Sequence, residues 1–311
     1  MRKKFYSLLK VIGLVGVTAF LSGCSKMVVL NPKGPVGSEE RFLIYMAVGL
    51  MLIVIVPVFV MAFWFAAKYR ASNKKAHYDP KWTDSTKVEV VIWVVPILIV
   101  AALSYLTITR TSSLDPYKPL PSTEKSVQVE VVSLDWNWLF IYPDYNIASI
   151  NELVFPEKAP LSFRLTSASV MTSFFIPQLG SQMYVMAGMK TQLNLMASDT
   201  GTFDGKNVEF SGHGYANMHF KAIAMTPSDF EEWVKKVKQS PDSLNMKTYT
   251  HVSQPNVGYP VTFYSSVVPG LFDHIAGEYM GWMGRQMKMK QMKMKEKTVS
   301  GPMNNKIMED K

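Results

Sequence analysis

Two long stretches without a charged residue constrain the fold of this 311-residue chain more than any other feature. Phe42 to Ala67 contains 26 consecutive uncharged residues, and Val90 to Thr109 contains another 20. About 20 apolar residues are enough for a helix to cross the hydrocarbon core of a bilayer. The sequence therefore predicts a membrane protein with transmembrane helices over residues 42–67 and 88–109, and it excludes an ordinary soluble globule.

The first 24 residues combine a secretory signal with a cysteine. Basic residues come first, an apolar run from Val11 to Phe20 follows, and Leu21-Ser22-Gly23 precedes Cys24, the only cysteine in the chain. A short apolar run that ends in small residues is typical of a signal peptide, here residues 1–23. The pattern resembles a bacterial lipoprotein box, and acyl chains on Cys24 would hold that residue at the outer surface of the membrane. The alternative is a free cysteine, and a single cysteine allows no intrachain disulfide.

A basic loop between the two predicted spans indicates their orientation. Residues 68–87 contain six basic and two acidic side chains, and short loops rich in Lys and Arg stay in the cytoplasm. The lipidated end and everything beyond Thr109 would then lie on the periplasmic side of a bacterial inner membrane. With this loop, the signal segment and a basic tail set aside, the remaining formal charge is slightly negative, so no nucleic-acid-binding face is expected.

Beyond residue 111 the sequence changes to short β-prone runs separated by Gly and Pro. Such runs predict an all-β sandwich or barrel, which we place at residues 111–240. The predicted strands are Ser126–Ile141, Leu161–Thr166, Ser173–Pro177, Lys190–Met196 and His219–Ala224.

After Pro227 the apolar spacing becomes helical, and Ser228 is the expected N-cap. The predicted buried face of this helix consists of Phe230, Trp233, Val234 and Val237. An aromatic-rich extension (residues 241–280) and a tail (residues 281–311) complete the chain. Methionines near the start of this tail could bind Cu(I), but the interleaved lysines favour a disordered basic segment that contacts anionic lipid.

Several motifs resemble subunit II of the haem–copper respiratory oxidases. They are Val95-Pro96, Asp135-Trp136-Asn137-Trp138, the run from Met171 to Gly180, and the segment from Asp204 to Met218. Within that superfamily the chain is most similar to subunit II of cytochrome bo-type ubiquinol oxidases, because Thr248 to Tyr279 resembles their aromatic-rich extension. The resemblance implies a two-helix transmembrane hairpin followed by an outer, all-β cupredoxin-like sandwich.

The same resemblance indicates where a dinuclear copper centre would lie. In the cytochrome c oxidases of the superfamily, its ligands are two histidines, two cysteines, a methionine and a glutamate carbonyl. The matching positions here are Thr172, Asn207, Glu209, Ser211, Tyr215 and Met218, so four side-chain ligands are replaced. Soft thiolates favour such a site, and none is available here. His213 and His219 could hold a stray ion weakly, but no metal or other cofactor is expected in this chain. Trp136, near the electron-entry surface in copper-bearing relatives, is expected to serve packing alone.

Without this electron port, the resemblance implies a membrane-soluble electron donor. The chain would be a non-catalytic subunit of a proton-pumping terminal oxidase that oxidises ubiquinol and reduces oxygen to water. Haems, the remaining copper and the quinol pocket would belong to subunit I, and subunits III and IV and membrane lipid would be further partners. Two other hypotheses are a free-standing membrane lipoprotein with a degenerate cupredoxin binding domain, and a cytochrome c oxidase subunit, against which the replaced ligands argue.

Glu89, one residue before the second uncharged run, has two possible roles. A carboxylate in the first turn of a helix is stabilised by the helix dipole by about 0.3–1 kcal/mol, which would be a structural role. Ionisable groups within membrane segments often mark ion pathways. In the relatives that this chain resembles, a glutamate at this place lies at the cytoplasmic mouth of a proton path into subunit I. The resemblance therefore favours a proton entrance.

Overall fold

The computed structural model describes residues 27–77, 79, 81, 83–279 and 281. The chain divides into two compact units, Met1–Lys118 and Pro119–Lys311. Cys24 and the Met/Lys-rich tail lie outside the described residues, so acylation and the nature of the tail stay predictions.

Two long helices dominate the first unit, after a short 3-10 turn at Val28–Leu30. Helices α1 (Pro35–Lys68) and α2 (Thr86–Ser113) contain the predicted spans and extend beyond them at both ends. Both are long and apolar enough to cross a membrane. Most of their apolar side chains are exposed in this chain alone, as expected for helices that face lipid or other helices.

Short strands and three helices make up the described part of the second unit. The strands are β1 (Val127–Ser133), β2 (Trp138–Tyr142), β3 (Ile147–Ile150), β4 (Glu152–Pro156), β5 (Leu161–Ser167), β6 (Thr172–Phe174), β7 (Met183–Val185), β8 (Thr191–Leu195), β9 (Gly201–Lys206), β10 (His219–Met225) and β11 (Thr262–Tyr264). The helices are α3 (Pro227–Val237), α4 (Met246–Val252) and α5 (residues 271–279).

The strands form a sandwich. The larger sheet has the order β11-β3-β2-β1-β5-β8, with β1 and β5 parallel and the other neighbours antiparallel. The second sheet has the order β4-β10-β9, and β6 pairs with β7 in a separate two-stranded sheet. The predicted architecture of two apolar helices followed by an all-β sandwich is therefore confirmed.

The structure corrects several predicted boundaries. The run predicted at Ser126–Ile141 breaks into β1 and β2, because Leu134 N–H donates to Asn137 O (2.9 Å) and closes a tight turn. Helix α3 is capped by Thr226, whose hydroxyl accepts from Asp229 N–H, so the expected N-cap at Ser228 was wrong. Pro227 explains the shift, since it is favoured at the first helical position and keeps the preceding residue extended. Five strands were not predicted: β3, β4, β7, β9 and β11.

The larger sheet is covered on both faces, and two separate cores result. The first core lies between the two sheets and includes the rings of Trp138, Phe140, Phe163, Phe174 and Phe220. The predicted face of α3 joins it, with Phe230, Val234 and Val237 buried and Trp233 partly buried. The second core joins the opposite face of the sheet (Val132, Leu134, Leu139, Ile141, Ala148, Ile150) to the C-terminal segment (Leu244, Tyr249, Val252, Tyr264, Leu271, Phe272, Ile275). The aromatic-rich extension is thus part of the same compact unit.

Candidate functional site

Asn207 is the centre of a small polar cluster between the loop that follows β9 and the start of β6. Its side-chain oxygen accepts from the N–H groups of Ser173 (2.9 Å) and Glu209 (3.0 Å). Its side-chain nitrogen donates to Ser211 Oγ (3.0 Å) and lies 3.5 Å from Met218 Sδ. Asn207 and Met218 are buried. We call Ser173, Asn207, Ser211 and Met218 the Asn207 cluster.

The other positions predicted from the copper-bearing relatives surround this cluster in different ways. Thr172 is buried, and its hydroxyl donates to Ser133 Oγ (2.8 Å) rather than to the cluster. Glu209 takes part through its backbone N–H. Tyr215 lies in a 3-10 turn, with its ring 5.8 Å from the exposed ring of Phe210. The structure thus brings Asn207, Ser211 and Met218 into direct contact.

Trp136 closes the cluster from outside. Its ring nitrogen donates to Ser211 O (2.7 Å), and its ring is 4.2 Å from that of His213, edge to face. A Cβ atom at Gly214 would lie 2.3 Å from the Trp136 ring, so only glycine allows this approach. Gly212 has φ +107°, a conformation that favours glycine. The expected packing role of Trp136 therefore includes a hydrogen bond that holds the loop.

The donor groups at this site do not suit a dinuclear copper centre. The predicted ligand positions contain amide, hydroxyl and phenol groups, whereas soft thiolate ligands are what such a centre requires. Both polar atoms of the Asn207 amide are already engaged. His213 and His219 are exposed, and the described ranges contain no group of three or more His, Cys, Asp or Glu side chains that could hold a metal ion. The site is best described as a hydrogen-bonded loop support.

Comparison with known proteins identifies the family. Residues 146–225 match the family model for the periplasmic domain of cytochrome c oxidase subunit II, and residues 238–283 match the COX aromatic-rich motif. The chain is 49% identical over 280 residues to cytochrome bo(3) ubiquinol oxidase subunit 2 of Pseudomonas putida, which covers 90% of this chain and 88% of that protein. This chain belongs to the subunit II family of bo-type ubiquinol oxidases.

Other relatives agree with this assignment. The chain is 52% identical over 259 residues to the corresponding subunit of Pseudomonas aeruginosa, which covers 83% of this chain and 78% of that protein. It is 44% identical over 285 residues to ubiquinol oxidase subunit 2 of Acetobacter aceti, a match that covers 91% of this chain and 92% of that protein. The predicted relationship to the bo-type quinol oxidases is confirmed. Membership in this subunit II family implies association with subunit I and fits a place in the inner membrane.

Glu89, the predicted proton-entry residue, lies in the first turn of α2. Its N–H donates to Ser85 O (2.9 Å), and its side chain is exposed in this chain alone. An exposed carboxylate at this position is accessible to another subunit. The geometry of this chain is compatible with both proposed roles, and so the proton-entry role stays a prediction.

Sequence reasoning missed a pair of asparagine amides, Asn137 and Asn151, that connects the turn between β1 and β2 to the aromatic-rich motif. Asn151 Nδ2 donates to Asn137 Oδ1 (3.0 Å) and to Tyr259 O (2.8 Å), while Asn137 Nδ2 donates to Asn256 O (2.9 Å). Asn137 is buried, and Asn151 has φ 59°, which asparagine tolerates better than most residues. The sequence did contain a signal for this pair. Asn137 lies between two tryptophans, which indicates that it is buried, and a buried amide needs hydrogen-bond partners.

Proposed function

We propose that this chain is a copper-free, non-catalytic subunit II, and that electrons pass from ubiquinol to subunit I without entering its outer domain. The observation that supports this proposal is the Asn207 cluster, in which Asn207, Ser211 and Met218 are predicted to match ligand positions of the copper-bearing relatives. The only cysteine of the chain is Cys24, so no thiolate can reach the cluster from elsewhere in the sandwich. The chain would then need no cofactor of its own, and subunit I would hold the haems and the copper.

The replacing side chains have a physical role of their own. The backbone N–H groups of Ser173 and Glu209 both donate to Asn207 Oδ1, and Val208 N–H donates to Ser173 Oγ (3.0 Å). A buried N–H group without an acceptor costs about 1–3 kcal/mol. The amide and hydroxyl groups therefore keep the loop in place where metal coordination would otherwise do so.

The test is purification of the oxidase through a tag on this chain. We expect haem to co-purify, brisk oxidation of ubiquinol, slow oxidation of reduced cytochrome c, and no copper beyond that of subunit I. Rapid oxidation of cytochrome c with additional copper would contradict the proposal. Purification of this chain without any haem-bearing partner would instead support the free-standing lipoprotein.

A restored ligand set sharpens this test. The combined variant Thr172→His, Asn207→Cys, Ser211→Cys and Tyr215→His is expected to take up copper and to absorb in the near infrared. The matched control carries Thr172→His and Tyr215→His alone and is expected to lack this absorption, because it has no thiolates. Equal spectra for both variants would show that this loop is not the former copper site.

We also propose that Glu89 is a proton entrance to a proton-translocating complex. Glu89→Ala is expected to slow oxygen consumption, and Glu89→Asp to do so less, because the shorter side chain keeps an ionisable carboxyl group. Asp84→Ala, which removes a carboxylate just before α2, is the control and is expected to leave turnover unchanged. Unchanged turnover in both Glu89 variants would assign this residue a structural role.

The membrane topology is part of the same proposal. Acylated Cys24 and the outer domain would lie on the periplasmic side, with the basic loop of residues 68–87 in the cytoplasm. Cys24→Ser is expected to remove the mass of the acyl chains, as measured on the purified subunit. Labelling of single cysteines placed in the loop and in the outer domain of this variant should occur from opposite sides of the membrane. Labelling from the same side would contradict the topology.

A further inference from the structure

A cleft lies between α1 and α2 near the C-terminal end of α2. Its volume is about 920 Å³, within the range of about 300–1,000 Å³ that is common for small-molecule sites. Spacings of three and four residues place Leu103, Leu106 and Arg110 on one side of α2, and a spacing of four places Leu43 and Ala47 on one side of α1. The apolar walls include Leu43, Ala47, Leu103, Leu106 and Ile108.

Charged groups of both signs surround the mouth of this cleft. Arg110, which lines it, donates through Nη1 to Glu39 Oε2 (2.6 Å), and its guanidinium lies 5.4 Å from the Phe42 ring centroid. Both members of the ion pair are partly exposed. Asp115 also lines the cleft. Lys118 Nζ donates to the backbone carbonyl oxygen of Ser112, another lining residue (3.2 Å). The two cations, Arg110 and Lys118, balance the carboxylates of Glu39 and Asp115, so these four groups have no net charge.

We propose that this cleft binds one phospholipid of the phosphatidylethanolamine class. The apolar walls take an acyl chain, the phosphate accepts hydrogen bonds from Arg110, and the primary ammonium group donates to Glu39 and Asp115. A guanidinium has five N–H donors, and Glu39 uses one of them here, so Arg110 can bind a phosphate while it keeps this ion pair.

Charge complementarity selects this occupant over the alternatives. An anionic headgroup such as phosphatidylglycerol would meet the carboxylates without a cation of its own to pair with them. A choline headgroup has a positive charge but no N–H donor for these carboxylates. A transmembrane helix of another subunit could fill the apolar walls but would leave the exposed donors of Arg110 without a phosphate. The inference requires that the hairpin crosses a membrane, and it does not depend on the copper-free proposal.

Lipid binding to the purified oxidase complex tests the proposal. After delipidation in detergent, the complex is titrated with phosphatidylethanolamine, phosphatidylcholine and phosphatidylglycerol of identical acyl chains, and bound lipid is counted by native mass spectrometry. We expect at least one ethanolamine lipid to bind about tenfold more tightly than the other two, a factor that corresponds to about 1.4 kcal/mol. Combined Glu39→Gln and Asp115→Asn substitution should abolish the preference, and Arg110→Gln should weaken binding of all three.

A volume variant keeps the test valid if the charge variants fail to assemble. Ala47→Trp fills the cleft and is expected to remove one bound lipid, whereas Val48→Trp, at an exposed position outside the cleft lining, should leave lipid binding unchanged. The haem spectrum of each complex reports assembly. The proposal is overturned if Ala47→Trp retains the wild-type lipid, if the three headgroups bind equally, or if a photoreactive residue at Thr107 cross-links only to another polypeptide.

Discussion

The Asn207 cluster and the second core belong to the same sandwich but are held by different forces. The cluster is a few buried polar groups that hydrogen-bond to backbone N–H groups. The second core is apolar, and it buries aromatic and aliphatic side chains of the C-terminal segment against the larger sheet. A net hydrogen bond contributes about 0.5–1.5 kcal/mol, whereas burial of a large apolar side chain contributes about 1.5–3 kcal/mol.

This difference indicates how the sandwich can keep its fold when the polar side chains of one loop change. The loop after β9 needs hydrogen-bond acceptors for its backbone N–H groups, and it needs a glycine at position 214 so that the Trp136 ring can pack against it. Both needs can be met without a metal. The stability of the sheet depends instead on apolar residues, many of them distant in sequence. The four variants below test this comparison in the outer unit expressed without the hairpin, with urea unfolding as the measurement.

Phe272→Ala is expected to have the largest effect. The side chain is buried in the second core, with the Arg164 guanidinium 4.8 Å from its ring centroid. Truncation of a buried phenylalanine lowers the free energy of unfolding by about 3–5 kcal/mol. Phe210→Ala is the matched control, because Phe210 is 76% exposed and its loss should change stability by less than about 0.5 kcal/mol. Equal effects would show that the C-terminal segment does not stabilise the sheet.

Gly214→Ala is expected to lower the free energy of unfolding by about 1–3 kcal/mol, as overpacking does. The added methyl group would lie 2.3 Å from the Trp136 ring, near its attachment to the chain, so the ring must move and release Ser211 O. Trp136→Ala in the same chain should reduce the penalty. Gly201→Ala, where the nearest atom would be 3.5 Å away, is the control. An unchanged penalty in the double variant would contradict the proposed clamp.

Asn207→Ala is expected to lower the free energy of unfolding by a similar or smaller amount. It leaves the N–H groups of Ser173 and Glu209 without their acceptor, at a cost of about 1–3 kcal/mol. Asn217→Ala, at an exposed position two residues before β10, should be close to neutral. A neutral Asn207→Ala would mean that the cluster does not hold the loop.

Asp273→Asn is expected to have the smallest effect, about 0–1 kcal/mol. Lys190 and Arg164 pair with Asp273 and lower its pKa below the usual 3.8, so its stabilising contribution is fully present above that value. The contribution is lost as the pH falls through the lowered native pKa. The difference between variant and wild type should therefore be largest at neutral pH and vanish in acid, whereas the exposed control Glu124→Gln should show no such pH dependence.

Glu130, which pairs with the same Arg164 guanidinium as Asp273, has a pKa shifted in the opposite direction. Burial raises its pKa, and the Arg164 guanidinium opposes that shift. Ionised Glu130 is thus less favourable in the folded than in the unfolded chain, and stability falls as the pH rises from its usual 4.5 to the raised native value. Asp273 also raises the pKa of Glu130, so Asp273→Asn relieves part of that shift as well. A second comparison, between Glu130→Gln and the Glu130→Gln, Asp273→Asn double variant, isolates the effect of Asp273.

The sequence by itself determined the two long apolar helices, the family and the side chains present at the positions predicted to match copper ligands. Charge-free runs and the absence of cysteine from the outer domain are local facts that no tertiary contact changes. Tertiary structure alone decided that Asn207 supports the loop, that Asn137 and Asn151 connect to Tyr259, and that β11 joins β3. These contacts join residues up to 122 positions apart, and a short strand acquires its structure from its partner across the sheet rather than from its own propensity. The second core shows the same dependence, because β2 and β3 are buried at every position only when the C-terminal segment returns to cover them.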